Sequence, residues 1–232
     1  MQRRTHWDRI YRTRLPGERS WTQRRPASSL ALIHAARLAP DAQILDAGAG
    51  ASHLADHLLK AGMRRLTLVD ISAAALREVK KRLEPSGAGV QFLRADLTDC
   101  RLDQKVDLWH DRAVFHFLTR AADRKRYLGN LRRCLRPGGF LVLAAFAPTG
   151  PERCSGLPVR RYSTAGLTRE LGPGFRVLRR LSEQHRKPFG GTQDFVYIMA
   201  VKKVGVRLSR RARRMSGERL QPQLEPFSEH AL

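Results

Sequence analysis

The sequence has few of the features that mark a secreted, membrane or metal-binding protein. Its 232 residues include three cysteines, Cys100, Cys134 and Cys154, which are too few and too widely spaced for a disulfide framework or a zinc site. No apolar run approaches the roughly 20 residues of a membrane span, and the N-terminus lacks the apolar centre of a signal peptide. We therefore expect a cytoplasmic protein with free thiols, no bound metal and no membrane contact.

Acidic residues are also scarce. The chain has 44 Lys and Arg against 21 Asp and Glu, for a net charge of +23, and the excess is largest near the two ends. A large positive charge attracts anionic partners, so one interpretation is an RNA-binding or RNA-modifying protein that uses its basic ends. The other is an Arg-rich solvated surface. We favour the second, because no basic motif interleaved with aromatic residues is present.

Periodicity divides the chain into three parts. Residues 1–40 predict two helices, over 5–14 and 28–38, that form an N-terminal lid able to fold over a cofactor. Residues 41–202 predict one α/β domain. The apolar pattern then stops, and residues 203–232 predict a basic, disordered tail.

The predicted domain alternates apolar strands with helices. Five strands separated by helices indicate a parallel, doubly wound sheet, and two further strands joined through a glycine turn indicate an antiparallel hairpin at one edge. The predicted strands are residues 44–46, 66–69, 90–93, 105–109, 140–146, 175–183 and 195–201.

The stretch from residue 42 to residue 70 is a strand, a glycine turn, a helix and a second strand. Gly48 and Gly50 lack a Cβ, which favours a close approach between the backbone and a ligand. A nicotinamide-binding turn has a third glycine where this chain has His53, and no Walker lysine follows. These absences disfavour an NAD-dependent oxidoreductase and favour a nucleoside ligand without phosphates.

Acidic residues stand at the ends of three successive predicted strands: Asp46, Asp70 and Asp96. Asp70 follows Gly48 by 22 residues, close to the spacing of an acid that binds ribose hydroxyls. Asp96 is placed to accept a hydrogen bond from an adenine amine. S-adenosyl-L-methionine is a ligand with these groups.

Five motifs carry a family resemblance: ILDAGAGAS, LTLVDIS, FLRADLTD, VDLWHDRAVFHFL and LRPGGFLVLAAF. In this order and spacing they resemble the class I, Rossmann-like S-adenosylmethionine-dependent methyltransferases, across about residues 5–202. The resemblance implies a seven-stranded sheet with an antiparallel last strand, and methyl transfer to a small molecule or a protein side chain. It implies that the cofactor is bound by Asp46, Gly48, Ala49, Gly50, Asp70, Ile71, Asp96 and Leu97.

Two further stretches, HWDRIYRTRLPGERSW and RCSGLPVRRY, are similar to a bacterial branch of this family whose members mostly have no assigned function. The Trp7-Asp8 start, and the acidic residue followed by a basic one after the fourth strand (Asp111-Arg112), are more loosely similar to translation elongation factor lysine methyltransferases. Neither likeness names a substrate.

The methyl acceptor is expected near residues 110–115, after the fourth strand. His110 is the preferred base, Asp111 would hold an amine, and Arg112 would bind an anion, although Asp111 and Arg112 could instead pair with each other. The Asn/Asp-Pro-Pro-Tyr/Phe turn typical of enzymes that methylate adenine or glutamine amines is absent from this position. Weaker candidates are His116, His185, Trp7, Tyr11, Trp21, Cys154, Arg160, Arg161 and Tyr162.

Overall fold

Seven strands form one mixed sheet in the order β3-β2-β1-β4-β5-β7-β6. The structure is a computed structural model that describes residues 2–84, 87 and 89–204. The first five strands pair in parallel, whereas β7 runs antiparallel to both β5 and β6. The predicted sheet is confirmed. The strands are β1 (Gln43–Ala47), β2 (Arg65–Asp70), β3 (Gln91–Arg94), β4 (Val106–Arg112), β5 (Leu135–Phe146), β6 (Phe175–Arg186) and β7 (Thr192–Lys202).

Six α-helices accompany the sheet in the described part of the chain. Two of them begin at serine caps, because the Oγ of Ser72 and of Ser163 accepts a backbone N–H from the first helical turn. The helices are α1 (Gln2–Thr13), α2 (Ala27–Ala35), α3 (Leu54–Lys60), α4 (Ala73–Leu83), α5 (Ala121–Cys134) and α6 (Thr164–Leu171). None of the helices among these residues is long and apolar enough to cross a membrane.

Apolar side chains cover both faces of the sheet. One cluster lies between the sheet and helices α5 and α6, and it contains Trp109, Tyr127 and Leu131. The other lies between the sheet and helices α2, α3 and α4, and it contains Leu54 and Val79. Helices on both faces of a largely parallel sheet are the doubly wound arrangement that the sequence predicts.

Several element boundaries differ from the sequence-based prediction. Strand β4 continues three residues beyond residue 109, because residues 108–112 pair in register with residues 140–144 of β5. Strand β5 begins five residues earlier than predicted, at Leu135, and Gly138 and Gly139 lie in a register shift between the pairs Val106–Leu135 and Leu108–Phe140. The extension of β4 matters most, since it places the predicted acceptor-binding residues inside a strand.

The N-terminal segment (residues 2–26) lies across the carboxyl ends of the strands. Its fixed point is Asp8, whose Oδ1 accepts hydrogen bonds from the Ser72 hydroxyl (2.8 Å) and the Ala74 amide (3.2 Å) at the start of α4. The other oxygen, Oδ2, pairs with Arg94 at 2.9 Å. Helix α1 begins three residues earlier than predicted. Of the predicted tail, all but residues 203 and 204 lies outside the described residues.

Candidate active site

The glycine turn after β1 has a backbone that only glycine fits. Gly48 and Gly50 have φ of +71° and +54°, in the left-handed region. A Cβ at Gly48 would lie 1.9 Å from Val114 Cγ2, and a Cβ at Gly50 would lie 2.3 Å from the Tyr11 hydroxyl oxygen. Glycine is therefore required at both positions, because φ is positive and because a Cβ would overlap a neighbouring side chain.

The amides of this turn are bonded within the protein. Gly48 and Ala49 both donate to the carbonyl oxygen of Val69, at 2.7 and 3.0 Å. The amide of Gly50 donates to Asp70 Oδ2 at 2.8 Å. These three hydrogen bonds attach the turn to β2, and a close approach of the turn to a ligand stays a prediction.

Asp70 is the acid that ends β2, and its residue is 7% exposed. Its Oδ1 accepts the Ser72 amide at 2.7 Å, so a backbone N–H is bonded to each carboxylate oxygen. Burial raises the pKa of Asp70 to about 6, against the opposing effect of these two hydrogen bonds. A carboxylate oxygen accepts more than one hydrogen bond, so Asp70 retains capacity for the hydroxyls of a ligand.

All eight predicted cofactor-binding residues line one of two cavities that share Gly48, Tyr11, Trp21 and Arg112. The larger cavity is lined by Gly48, Asp70, Ile71, Asp96 and Leu97, and the smaller by Asp46, Gly48, Ala49 and Gly50.

Asp96 has a fixed orientation at the end of β3. Its Oδ1 accepts hydrogen bonds from the amide and the hydroxyl of Thr98, at 2.8 and 2.7 Å. Leu97 beside it is buried. Asp96 and Leu97 therefore give the larger cavity one polar and one apolar lining group.

A buried hydrogen-bond chain underlies the smaller cavity. His110 Nδ1 lies 2.7 Å from Asp46 Oδ1, and His110 Nε2 lies 2.9 Å from the Ser29 hydroxyl. Because a carboxylate only accepts, Nδ1 carries the proton and Nε2 accepts from Ser29. Both ring nitrogens are therefore occupied, and a role for His110 as a base requires breaking its bond to Ser29. Sequence reasoning missed Ser29, which carries no motif.

Asp111 lies outside the lining of both cavities. In a strand, neighbouring side chains point to opposite faces, so Asp111 turns towards α5 while His110 and Arg112 do not. Its carboxylate accepts hydrogen bonds from the Tyr127 hydroxyl and from the Val114 amide at 2.9 Å. Burial raises the pKa of Asp111 to about 6. Because Asp111 points away from the cavities and from Arg112, the predicted amine-binding role of Asp111 and its predicted pairing with Arg112 are both wrong.

Arg112 lines both cavities, and its side chain is 10% exposed. Its Nε donates to the Tyr197 hydroxyl at 3.0 Å, and its Nη1 donates to the Trp21 carbonyl at 3.1 Å. The guanidinium lies 4.6 Å from the centre of the Phe195 ring. Its Nη2 is 3.6 Å from Glu183 Oε1, beyond hydrogen-bond distance, and has no other acceptor among the described residues.

Aromatic rings of the N-terminal segment cover the larger cavity. Trp7 packs 5.1 Å from Phe117 and 5.7 Å from Trp21, measured between ring centres. Tyr11 lies beneath the guanidinium of Arg19 at 4.7 Å, and burial raises its pKa. The three aromatic residues that the sequence placed in a lid are thus all part of the cavity wall.

The remaining histidine candidates are enclosed by protein. His116 stacks on Phe146 at 4.4 Å, its Nδ1 accepts the Phe146 amide at 3.3 Å, and burial lowers its pKa to about 3. Its Nε2 has no partner in the described structure. His185 is bonded to the Ser20 carbonyl at 2.7 Å and lies 3.3 Å from the Gln23 amide. Neither histidine lines the larger cavity.

The candidates that follow β5 separate into two groups. Cys154 lines the larger cavity, and burial raises the pKa of its thiol to about 11. Arg160, Arg161 and Tyr162 line a different, surface depression beside α6. Of these four candidates, Cys154 alone lines the larger cavity, whereas Tyr162 packs against Phe115 at 5.6 Å between ring centres.

Comparison with known proteins agrees with this geometry. Residues 44–139 match a family model described as a methyltransferase domain. The chain is 31% identical over 106 residues to malonyl-[acyl-carrier protein] O-methyltransferase of Pectobacterium atrosepticum, covering 45% of this chain and 39% of the relative. It is 28% identical over 107 residues to nodulation protein S of Rhizobium tropici, covering 46% and 42%.

A solved structure gives the same fold. The Burkholderia thailandensis 1,6-didemethyltoxoflavin-N1-methyltransferase, solved with its substrate and S-adenosylhomocysteine, matches with a TM-score of 0.64 and 22% identity over 87% of each chain. The chain spans about two fifths of the length of the curated relatives it matches. Residues 44–139 thus match the methyltransferase-domain model, and the chain has the fold of this solved methyltransferase.

Proposed function

We propose that this protein binds S-adenosylmethionine and transfers a methyl group to an acceptor held beneath its N-terminal segment. One observation carries the proposal: Gly48, Asp70 and Asp96, which come from three successive strand ends, line a single cavity. The family match and the structural neighbour with bound S-adenosylhomocysteine support it.

The residues present fit this cofactor. Asp70 accepts hydrogen bonds from the two ribose hydroxyls, and Asp96 accepts one from the adenine amine. Ile71 and Leu97 supply apolar contacts to the adenine ring. The smaller cavity, lined by Asp46, Gly48 and Gly50, would take the amino-acid end of the ligand.

When bound, S-adenosylmethionine supplies an electrophilic methyl group on a sulfonium. In-line transfer needs alignment and exclusion of water more than an elaborate set of catalytic groups. Trp7, Trp21 and Phe117 exclude water, and Arg112 orients the acceptor. His110 and Asp111, whose polar atoms are bonded inside the protein, act as positioning residues for β4.

Titration calorimetry with S-adenosylhomocysteine, the unreactive product, tests the cofactor site. We expect wild-type protein to bind, and Gly48→Val and Asp70→Ala to bind about 100-fold more weakly. Asp99→Ala is the control, since Asp99 is an exposed residue on the same loop as Asp96. Absence of binding by the wild type, or equal binding by both variants, contradicts the proposal.

A cytoplasmic location and a lid role for the N-terminal segment stay predictions, and contact with nucleic acid through the basic tail stays the alternative that we do not favour. The tail lies almost wholly outside the described residues, and none of the reported comparisons names a nucleic-acid substrate.

A further inference from the structure

We propose that the methyl acceptor is a small, flat, largely apolar molecule whose reacting oxygen is already ionised, and that Arg112 holds this oxygen. This inference rests on the proposed function and names its substrate class. It concerns the acceptor compartment, which we define as the end of the larger cavity lined by Trp7, Trp21, Arg112, Phe117, Phe146 and Phe195.

The compartment is partly covered, which favours a small molecule over a side chain on a folded protein. Trp7 and Trp21 close it from the side of the N-terminal segment. That segment is attached to the rest of the domain at Asp8 and by the paired hydrogen bonds from Arg19 to Glu78, at 3.0 and 2.8 Å. A side chain on a folded protein would need this cover removed.

The walls favour a flat, apolar acceptor. Phe146 and Phe195 lie 4.7 Å apart, and Trp7 meets Phe117 edge to face at 5.1 Å. Aromatic walls stabilise flat molecules by stacking and by burial of apolar surface. A strongly hydrated acceptor, such as a sugar, would lose its hydrogen bonds to water here without replacement.

Arg112 is the cation of this compartment, and although it forms an ion pair with Glu183 at 3.6 Å, its Nη2 group is free to donate a hydrogen bond to a ligand. The neighbouring Glu183 is already bonded by the Tyr197 hydroxyl at 2.9 Å and the Gln23 amide at 2.8 Å. The hydrogen bonds to the Glu183 carboxylate therefore come from neutral groups. Arg112 Nη2 donates no hydrogen bond within the described structure. A buried guanidinium N–H without an acceptor favours binding of an anionic oxygen.

The described residues supply no base to this compartment. His110 and Asp111 are bonded elsewhere, and the thiol of Cys154 keeps its proton because burial raises its pKa to about 11. Tyr11 keeps its proton for the same reason. An amine or an alcohol would have to lose a proton during transfer, whereas a carboxylate or an acidic enol or phenol arrives without one.

The transfer then balances without a proton acceptor. The ionised oxygen forms a bond to the methyl carbon while the bond from that carbon to sulfur breaks, and the electron pair of the broken bond stays on sulfur. The products are a neutral methyl ester or ether and S-adenosylhomocysteine. The charge that Arg112 binds disappears as the product forms, so the product leaves more readily than the substrate.

Calorimetry on the full chain tests the acceptor class. Protein saturated with S-adenosylhomocysteine is titrated with 2-naphthoate and with a nitro-substituted 2-naphthol that is ionised at neutral pH, and with the matched neutral 2-naphthamide and cationic 2-naphthylmethylamine. We expect the acids to bind at least about tenfold more tightly than the amide and amine. Labelled S-adenosylmethionine then reports which of the two acid classes is methylated.

Variants separate Arg112 from general effects. In protein saturated with S-adenosylhomocysteine, we expect Arg112→Gln to lower the ratio of acid affinity to amide affinity by about tenfold, and Arg112→Lys to keep part of this preference. Arg179→Gln, an exposed change on β6, is the matched control. If S-adenosylhomocysteine binds but the acids bind no better than the amide and amine, or none binds, the acceptor class is wrong. Failure of S-adenosylhomocysteine to bind would instead contradict the proposed function.

Discussion

The two ends of the larger cavity are built in different ways. The cofactor end uses polar groups from three neighbouring strand ends, and backbone amides hold those groups in place, as the Gly50 and Ser72 amides hold Asp70. The acceptor end uses aromatic side chains from distant parts of the chain, including Trp7 and Phe195. The first end is rigid and fixed by local sequence, whereas the second depends on how the N-terminal segment packs. Substitutions at the cofactor end and at the acceptor end both test this difference.

The largest effect is expected at the cofactor end, for Gly48→Ala. The new Cβ needs the left-handed φ of +71° and lies 1.9 Å from Val114 Cγ2. We expect the strained φ and the contact with Val114 together to lower the free energy of unfolding by roughly 3 kcal/mol, measured by urea denaturation. The affinity for S-adenosylhomocysteine should fall as well.

Gly62→Ala is the matched control for that change. Gly62 also has a positive φ, +86°, but a Cβ there meets nothing within 4 Å. We expect it to cost only the conformational part, about 1–2 kcal/mol. Adding Val114→Ala to Gly48→Ala should recover part of the loss. Equal costs for the two glycine changes would mean that the contact with Val114 is unimportant.

Asp70→Asn tests the same end through charge. We expect about 100-fold weaker binding of S-adenosylhomocysteine, because an amide offers one acceptor oxygen where the carboxylate offers two. Since burial raises the pKa of Asp70 to about 6, wild-type affinity should fall as the pH drops through 6, and the variant should lack this dependence. A pH dependence that survives in Asp70→Asn would assign it to another group.

The cofactor end could be predicted from the sequence because its parts are close together in the chain. The glycine turn and its acids fall within residues 44–98, and each lies just after an apolar strand. The acceptor end was only partly predictable. Its aromatic residues from the N-terminal segment were foreseen, but Phe146 and Phe195 lie in apolar strands where sequence patterns indicate core.

The error at Asp111 has a simple physical origin. Placing the end of β4 at residue 109 leaves the next three residues in a loop, where all could face one site. Pairing with β5 extends the strand, and strict alternation then turns Asp111 away. Ser29 was missed for a different reason: its partner His110 lies 81 residues away, a distance that no local pattern spans.

His116→Phe tests the buried surroundings of the acceptor end. Burial lowers the pKa of His116 to about 3, so the folded protein keeps this imidazole neutral while the unfolded chain protonates it below its ordinary value of 6.5. The wild type therefore loses stability as the pH falls from 6.5 towards 3. At pH 5 this loss amounts to about 2 kcal/mol relative to pH 8.

The variant should lack this slope, although it also loses the acceptor for the Phe146 amide. The diagnostic quantity is thus the difference in free energy of unfolding between pH 8 and pH 5, not its value at one pH. Parallel pH profiles for wild type and His116→Phe would show that the imidazole does not titrate as its burial implies. His34→Phe, a change at an exposed histidine on α2, controls for loss of an accessible imidazole.

The smallest effect is expected where the two ends are joined, at Asp8. This carboxylate belongs to the cover of the acceptor end, yet it binds Ser72 and Ala74 at the start of α4, next to Asp70. Asp8→Ala should lower the free energy of unfolding by about 1 kcal/mol, as loss of a helix cap does.

The larger consequence of Asp8→Ala should be kinetic, because a loosened cover lets S-adenosylhomocysteine enter and leave several-fold faster with little change in affinity. Stopped-flow fluorescence of Trp7 and Trp21 measures both rates, with Arg9→Ala, an exposed change on α1, as control. If both rates stay at wild-type values, the N-terminal segment is a fixed wall, and the acceptor end is as rigid as the cofactor end.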